Sequence, residues 1–370
     1  MNKEQLSLVA LNMIIELIPK KMISLIDYFG SAENVFKGDK EEIKRVAMVT
    51  DQTAEIVKNF ADLRVAESEL ALAEKNNIKI VTYLDENYPK PLKNIYDYPS
   101  VLYIKGNYSE QDEYSVSVVG SRRPTNYGKI VTDKFCKHFV ECGLTTISGL
   151  ASGIDTQTHV STLENGGKTI AVLGNGLLDV YPKENKKLQE TISEKGAVIS
   201  EFPLRQRPDK INFPRRNRIV AALSKATLVV EAAIKSGSLI TADLAAEFGK
   251  DVFAVPGPIY ARYSEGPNSL IKNGAYVALK PEDIIEQTFS LFDFVKETKK
   301  QEIKEKKVLL SGDKKSIAVL KILKDSVMGL SLDEISARTE ISVSDLSSIL
   351  LELELNELIK EMPGQVYIKI

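Results

Sequence analysis

Arg205, Arg207, Lys210, Arg215, Arg216 and Arg218 fall within fourteen residues of one another, interleaved with Phe202 and Phe213. Guanidinium groups grip phosphate oxygens bidentately, and aromatic rings stack on bases. This mixture therefore supplies the parts of a groove for a single nucleic-acid strand. A plainer reading gives Phe213 and Ile219 to the core and leaves at least two of the arginines structural or idle. Asn217, in the same run, either satisfies backbone groups or reads a base edge.

Two further loops carry anion-binding chemistry. VVGSRRPTNYG ends a strand with Gly120 and Ser121, small enough for close backbone approach, followed by Arg122 and Arg123. VVEAAIKSGSLIT places Lys235 just before Gly237 and Ser238 at the start of a helix, where free N–H groups and a point charge favour an anion. Glu231 in that segment is expected to orient an arginine. ISGLASGIDTQTH and VLGNGLLDVYPKEN supply glycines where a chain turns past a phosphate. Neither matches G-x-G-x-x-G, and no acidic residue follows the second strand to hold a ribose, so no dinucleotide cofactor is expected. VPGPIYARYSEGPNSLIKNGA carries Tyr260, Arg262 and Tyr263 and reads equally as a mobile lid or a rigid turn.

Asp155 and His159, four apart on a predicted helix, are the one pair suited to acid–base work. An Asp stabilising the first helical turn beside a packed histidine explains them without a reaction, and no Ser or Cys nucleophile motif stands near. No catalytic residue is expected. Cys136 and Cys142, six apart in one predicted helix, cannot face each other, so neither a disulfide nor a metal site is indicated.

These loops need a scaffold. SVSVVG, TTISG, KTIAVLG, AVISEF, ATLVVEA and DVFAVPG are short runs of near-continuous Val, Ile, Leu and Ala, each leading into a helical pattern. Such strands are buried on both faces. The expectation is an α/β fold: a Rossmann-like, doubly wound, mostly parallel sheet over residues 76–290, with IKIVTYL and SVLYIKG adding strands at its start. Residues 1–75 read as a helical, SAM-like domain, with Leu8, Leu11, Ile15 and Ile18, then Ile23, Ile26 and Phe29, at helical spacing. Its IPKKMISLIDYFGSAENVF segment lacks the paired glycines of a helix-hairpin-helix. Residues 291–307 form a charged linker, ten of the fifteen from Asp293 to Lys307 being ionised. Residues 308–370 read as a winged helix. Its third helix carries Asp345, Glu352, Glu354 and Glu357 and no Lys or Arg, which opposes entry into a major groove and suits protein contact or packing.

Of 370 residues, 43% are hydrophobic, enough for two or three domains, and the formal net charge is -2. The charge is uneven: residues 120–280 hold 22 Lys and Arg against 15 Asp and Glu, leaving 27 against 36 elsewhere. The middle of the chain is thus the part that attracts polyanions. No apolar run reaches the length of a membrane span, the first residues lack a signal-peptide pattern, and a cytoplasmic protein is expected.

Taken in order, VVGSR, SGLASGID, TIAVLGNGLLDVYPKEN, FPRRNRIVAALS, VVEAAIKSGSLIT and FAVPG with GPNSLIKNGA resemble the DNA-processing protein A (DprA/Smf) family over about residues 118–279. The resemblance implies a Rossmann-like core that binds single-stranded DNA, forms a homodimer through that core, and helps load the RecA recombinase during natural transformation, with no catalytic activity and no cofactor. Carried over by motif, the DNA pocket comprises Gly120, Ser121, Arg122, Phe213, Arg215, Asn217, Arg218, Lys235, Gly237 and Ser238, with Arg216 in the variable place. One departure is Ser152, where the family commonly has arginine. Two other readings compete. A nucleotide phosphoribohydrolase would share the fold, but KSGSLIT lacks the PGGxGT loop. A helix-turn-helix transcription regulator would prefer duplex, which the acidic third helix opposes.

Overall fold

The computed structural model describes residues 1–60, 62–289, 314–324, 330–339, 341–355, 359–362 and 366–369. The chain divides into two compact units, Met1–Leu291 and Phe292–Ile370. The charged linker expected at 291–307 lies outside the described residues.

The first unit begins with six helices, α1 (Lys3–Asn12), α2 (Pro19–Phe29), α3 (Ala32–Lys37), α4 (Lys40–Lys44), α5 (Asp51–Asn59) and α6 (Arg64–Lys75). Local chemistry sets their ends. The side chains of Asn2, Ser31, Asp39 and Thr50 accept from the third backbone N–H of α1, α3, α4 and α5, and Gly30 closes α2 in the left-handed region. Leu8 and Leu11 are buried, but Ile15 and Ile18 are exposed, against the periodicity read across 8–18. Pro19 forces the residue before it out of the helical region, so Ile18 is extended and the chain breaks between α1 and α2. Ile14 and Leu17 turn inward instead.

A nine-stranded sheet follows: β1 (Ile78–Thr82), β2 (Val101–Gly106), β3 (Ser115–Val119), β4 (Thr145–Ser148), β5 (Thr169–Val172), β6 (Ala197–Ser200), β7 (Ala226–Val229), β8 (Asp251–Ala254) and β9 (Tyr276–Val277). Their order is β1-β2-β6-β5-β4-β3-β7-β8-β9. β1 with β2 and β2 with β6 pair antiparallel, and every other neighbour is parallel. The crossover helices are α7 (Asn126–Glu141), α8 (Ile154–Glu164), α9 (Lys186–Lys195), α10 (Asn212–Leu223) and α11 (Gly237–Glu247), followed by α12 (Glu265–Lys272) and α13 (Glu282–Thr288). Every residue of β3 to β7 is buried, because helices cover both faces, and the buried hydroxyls of β3 and β4 are met within the protein, Ser117 by Thr227 and Ser148 by the Val118 carbonyl.

From β3 the chain winds outward through β4 and β5 to β6, then returns to lay β7 on the other side of β3. This is a doubly wound sheet with its reversal between β3 and β7. Loops leaving those two strands diverge to opposite faces and open a crevice at their carboxyl ends.

In the second unit, α14 (Lys314–Lys324), α15 (Leu332–Thr339) and α16 (Val343–Leu355) pack with a small sheet ordered β10 (Leu330–Ser331), β12 (Val366–Lys369), β11 (Ile359–Met362). Val319, Leu323, Ile335, Leu346, Ile349, Leu350 and Leu353 form its core. Three helices and a hairpin wing make this a winged helix.

Candidate nucleic-acid interface

An open cleft of about 630 Å³ lies at the carboxyl ends of β3 and β7. The turn after β3 forms one wall. Ser121 N–H donates to the Glu231 carbonyl (2.6 Å), and Ile154 N–H donates to the Ser121 carbonyl (3.1 Å), fastening the turn to β7 and to α8. A Cβ on Gly120 would lie 2.7 Å from Ile154 Cγ1 and 2.9 Å from the Glu231 carbonyl oxygen, so this glycine serves protein packing. The neighbouring Gly153, at φ +89°, crosses so close to Ser121 that a Cβ there would sit 2.3 Å from its carbonyl oxygen. Gly237 differs: its missing Cβ faces open space, leaving the start of α11 free for a ligand.

Glu231 was expected to orient an arginine. It does not: its carboxylate accepts from Thr125 N–H (2.8 Å) and from the Thr125 hydroxyl, and Thr125 in turn caps α7 by accepting from Gly128 N–H. The acid at the end of β7 thereby fixes the loop that carries Arg122.

α10 forms the opposite wall. Its arginines leave it in different directions, since successive helical residues are turned by about 100°. Arg216, assigned no role by the motif comparison, runs beneath the cleft, where its Nη1 donates to the carbonyls of Gly149 and Val172 and its Nε to Asn217 Oδ1. Burial pulls its pKa down to about 10, partly offset by Asp155, so it stays cationic at neutral pH. Arg218, placed in the DNA pocket by the motif, is 3% exposed. It pairs with Glu201, and its Nε lies 3.4 Å from Asp97 Oδ2. Arg215 packs its guanidinium 5.0 Å from the Phe202 ring centroid with Nη2 3.8 Å from Glu201. Neither lines the cleft: residues 215 and 218, three apart, share the helix face turned toward Glu201, an acid at the end of β6 that draws both cations inward.

Phe213 does line the cleft, half-buried, with the Tyr181 ring 5.5 Å away and the Arg122 guanidinium 5.4 Å from its centroid. Asn217 also lines it, and its Nδ2 donates to the Gly237 carbonyl (3.1 Å), tying α10 to the start of α11. Lys235, Gly237 and Ser238 stand at that start, where the Ser236 hydroxyl accepts from Ser238 N–H. The structure thus brings together Gly120, Ser121, Arg122, Phe213, Asn217, Lys235, Gly237 and Ser238. Three residues not assigned to the site join them: Tyr181 from the loop after β5, Lys210 from the loop before α10, and Arg262 from the loop after β8. Lys210 stood in the basic run before α10 and Arg262 in the loop read as a mobile lid or a rigid turn, and the fold brings both to the lining. Arg205 and Arg207 are exposed elsewhere. The lining holds five cations (Arg122, Lys210, Arg216, Lys235, Arg262) and one carboxylate, Asp155, so its field favours an anion.

Asp155 and His159 do not pair. Asp155 Oδ2 accepts from Gly149 N–H (3.1 Å) and Ala151 N–H (3.4 Å), so it organises the preceding loop rather than its own helical turn. Burial raises its pKa, with Arg216 opposing. His159 Nδ1 meets Thr169 Oγ1 at 2.7 Å, and burial with Arg216 nearby pushes its pKa down to about 3. A neutral histidine sealed under the sheet has no access to a reacting atom. Cys136 is buried, Cys142 half-buried, and both are free. Among the described residues no group of three or more His, Cys, Asp or Glu could hold a metal ion, and no helix is long and apolar enough to cross a membrane.

A family model described as DNA recombination-mediator protein A matches residues 79–289, and one described as DprA winged helix domain matches 308–365. Protein Smf of Escherichia coli is 39% identical over 304 residues, covering 80% of this chain and 79% of its own length. DNA processing protein DprA of Streptococcus pneumoniae is 45% identical over 202 residues, 55% of this chain and 71% of its own. Its X-ray structure superposes with a TM-score of 0.68 at 34% identity, covering 78% of this chain and 100% of that one. DNA processing protein A of Helicobacter pylori, whose structure is described for its single-stranded DNA binding mode, gives a TM-score of 0.52 at 30% identity over 56% of this chain and 94% of its own. With a family model spanning more than half its length and a relative matched across most of both sequences, the chain belongs to the DNA recombination-mediator protein A (DprA/Smf) family.

Proposed function

We propose that this protein is a cytoplasmic recombination accessory factor that binds single-stranded DNA in the β3/β7 cleft and passes it to the RecA recombinase, acting as a homodimer built on the Rossmann-like core. The carrying observation is the Arg122–Phe213 pair ringed by Lys210, Lys235 and Arg262: cations for phosphates beside an aromatic face for bases. The Helicobacter pylori relative, described for single-stranded DNA binding, supports the same reading. Binding rather than catalysis is the function proposed, since the one candidate acid–base pair is split and buried. A duplex fits this chemistry poorly, because its bases are stacked away from Phe213.

Fluorescence anisotropy tests it, with labelled poly-dT against an equal-length duplex across a salt series. The single strand should bind more tightly, with log affinity falling by roughly 0.7 per log unit of salt for each phosphate contacted. Arg122→Ala and Lys235→Ala should each weaken binding and flatten that slope. Equal binding of duplex, or indifference to both substitutions, would sink the assignment.

A further inference from the structure

The loop from β8 to α12 folds back on itself and is pinned at its base. Asn268 Nδ2 donates to the Gly257 carbonyl (3.0 Å) and its Oδ1 accepts from Gly257 N–H (3.2 Å). A Cβ on Gly257 would lie 2.2 Å from Ser264 Oγ, so the two ends of the loop touch. Ala232 N–H donates to the Tyr263 carbonyl (2.8 Å), fixing the exit to the end of β7. At the tip, Ala261 N–H donates to the Pro258 carbonyl (2.9 Å), which makes residues 258–261 a closed turn. The sequence left lid and rigid turn open; these bonds describe a rigid turn.

Ile259 and Tyr260 occupy the two central positions of that turn and are 76% and 95% exposed. Two large side chains held in water contribute nothing to the core, and Tyr260 makes no hydrogen bond or ring contact among the described residues. Yet the backbone presenting them is held by a half-buried clamp. The next residues along, Arg262 and Tyr263, line the cleft. A preorganised aromatic continuous with a cationic wall is what a flexible strand needs to stack on, since the platform's ordering cost is already met before binding.

Resting on the single-strand reading of the cleft, we propose that Tyr260 is a second base-stacking platform, and that a strand anchored at Arg122 and Phe213 continues past Arg262 to stack a base on this ring. The bound path is then longer than the cleft itself, and Tyr260 acts only on strands long enough to reach it.

The test uses the full chain and oligo-dT of two lengths, about four and about twenty nucleotides, bracketing short and long single-strand sites. The chain contains no tryptophan. Tyr260→Trp therefore introduces a single indole at the tip, whose emission should be quenched by the long strand and left alone by the short one. Tyr260→Ala should weaken the long strand by at least about five-fold, leave the short strand unchanged and keep the parent's melting temperature, because an exposed ring carries no packing. Arg122→Ala should weaken both lengths. If Arg122→Ala weakens both while Tyr260→Ala and the indole respond to neither, the second platform is refuted and the cleft stands. If the parent binds no single strand, the cleft reading fails and takes this one with it. If Tyr260→Ala changes the sedimentation mass with long-strand affinity intact, the tip seats a second copy and the proposal is overturned.

Discussion

The Arg122 guanidinium lies 5.4 Å from the centroid of the Phe213 ring, joining the loop after β3 to the first turn of α10 across the mouth of the cleft. One residue offers charge to a phosphate and the other a face to a base, and in the free protein each holds the other in place. On the proposed reading, a strand entering the cleft engages both.

Their contributions to binding should therefore be coupled. Without the ring, Arg122 loses its rest and Arg122→Ala should cost less in a Phe213→Ala background than in the parent. A coupling of at least about 0.5 kcal/mol is expected for a partly exposed cation–π contact. Anisotropy on the four proteins measures it; additivity within about 0.3 kcal/mol would mean the two act independently.

Arg218 and Lys235 should separate stability from binding. Arg218 is buried against Glu201 and Asp97, so Arg218→Met leaves carboxylates without their cation and should cost about 3 kcal/mol of stability in urea denaturation, the low end for a broken buried pair because Arg215 stays beside Glu201. Strand affinity of the folded fraction should change little. Lys235→Ala should do the reverse, leaving the denaturation midpoint where it was and weakening the strand. A loss of affinity confined to Arg218→Met would return Arg218 to the DNA site.

This contrast also marks what the sequence could and could not reveal. Strands β3 to β7 were legible because burial on both faces leaves short runs of Val, Ile, Leu and Ala broken only by Ser and Thr, and the glycine-rich loops because tight turns at strand ends admit few residue types. The individual arginines were not. Arg215, Arg216 and Arg218 are alike in composition, and what separates them is non-local: Glu201 lies 14 to 17 residues upstream and meets Arg215 and Arg218 only once β6 and α10 are packed, while the carbonyls that hold Arg216 come from Gly149, just past β4, and from Val172 of β5. An acidic residue at a strand's end just before a basic run was the available hint, and it stands in plain view in SEFPLRQR. The break at Pro19 had its signal too, since a proline disfavours helix in the residue before it, but the periodicity read across 8–18 passed over it.

Glu231 gives a prediction about positioning. Its two carboxylate oxygens accept from the N–H and the hydroxyl of Thr125, and a Cβ on Gly128 would approach Oε2 to 2.5 Å. Glu231→Gln turns an NH2 toward one of those donors. It should cost about 1–3 kcal/mol through the unsatisfied group and weaken strand binding by displacing Arg122, although Glu231 itself does not line the cleft. Thermal melts and anisotropy should move together; unchanged affinity in a destabilised variant would show that the α7 cap does not position Arg122.

His159 gives the pH dependence. Its folded pKa is pushed down to about 3 from an ordinary value near 6.5, by burial first and by Arg216 second. Below pH 6.5 the unfolded chain takes up a proton that the folded chain refuses, so stability falls as pH falls, by about 1.4 kcal/mol per pH unit, until the folded pKa is reached. Asp155 works in the opposite sense, because burial raises its folded pKa and the folded state then binds the proton more readily. Comparing the parent with His159→Gln removes that offset, since Asp155 is present in both. The parent should lose stability relative to the variant steadily from pH 6.5 to 4.5 in denaturant titrations, while above pH 7.5 the difference between them should be flat. Parallel curves through the acid range would mean that His159 titrates normally in the folded protein, and that the space beneath Arg216 is open to water.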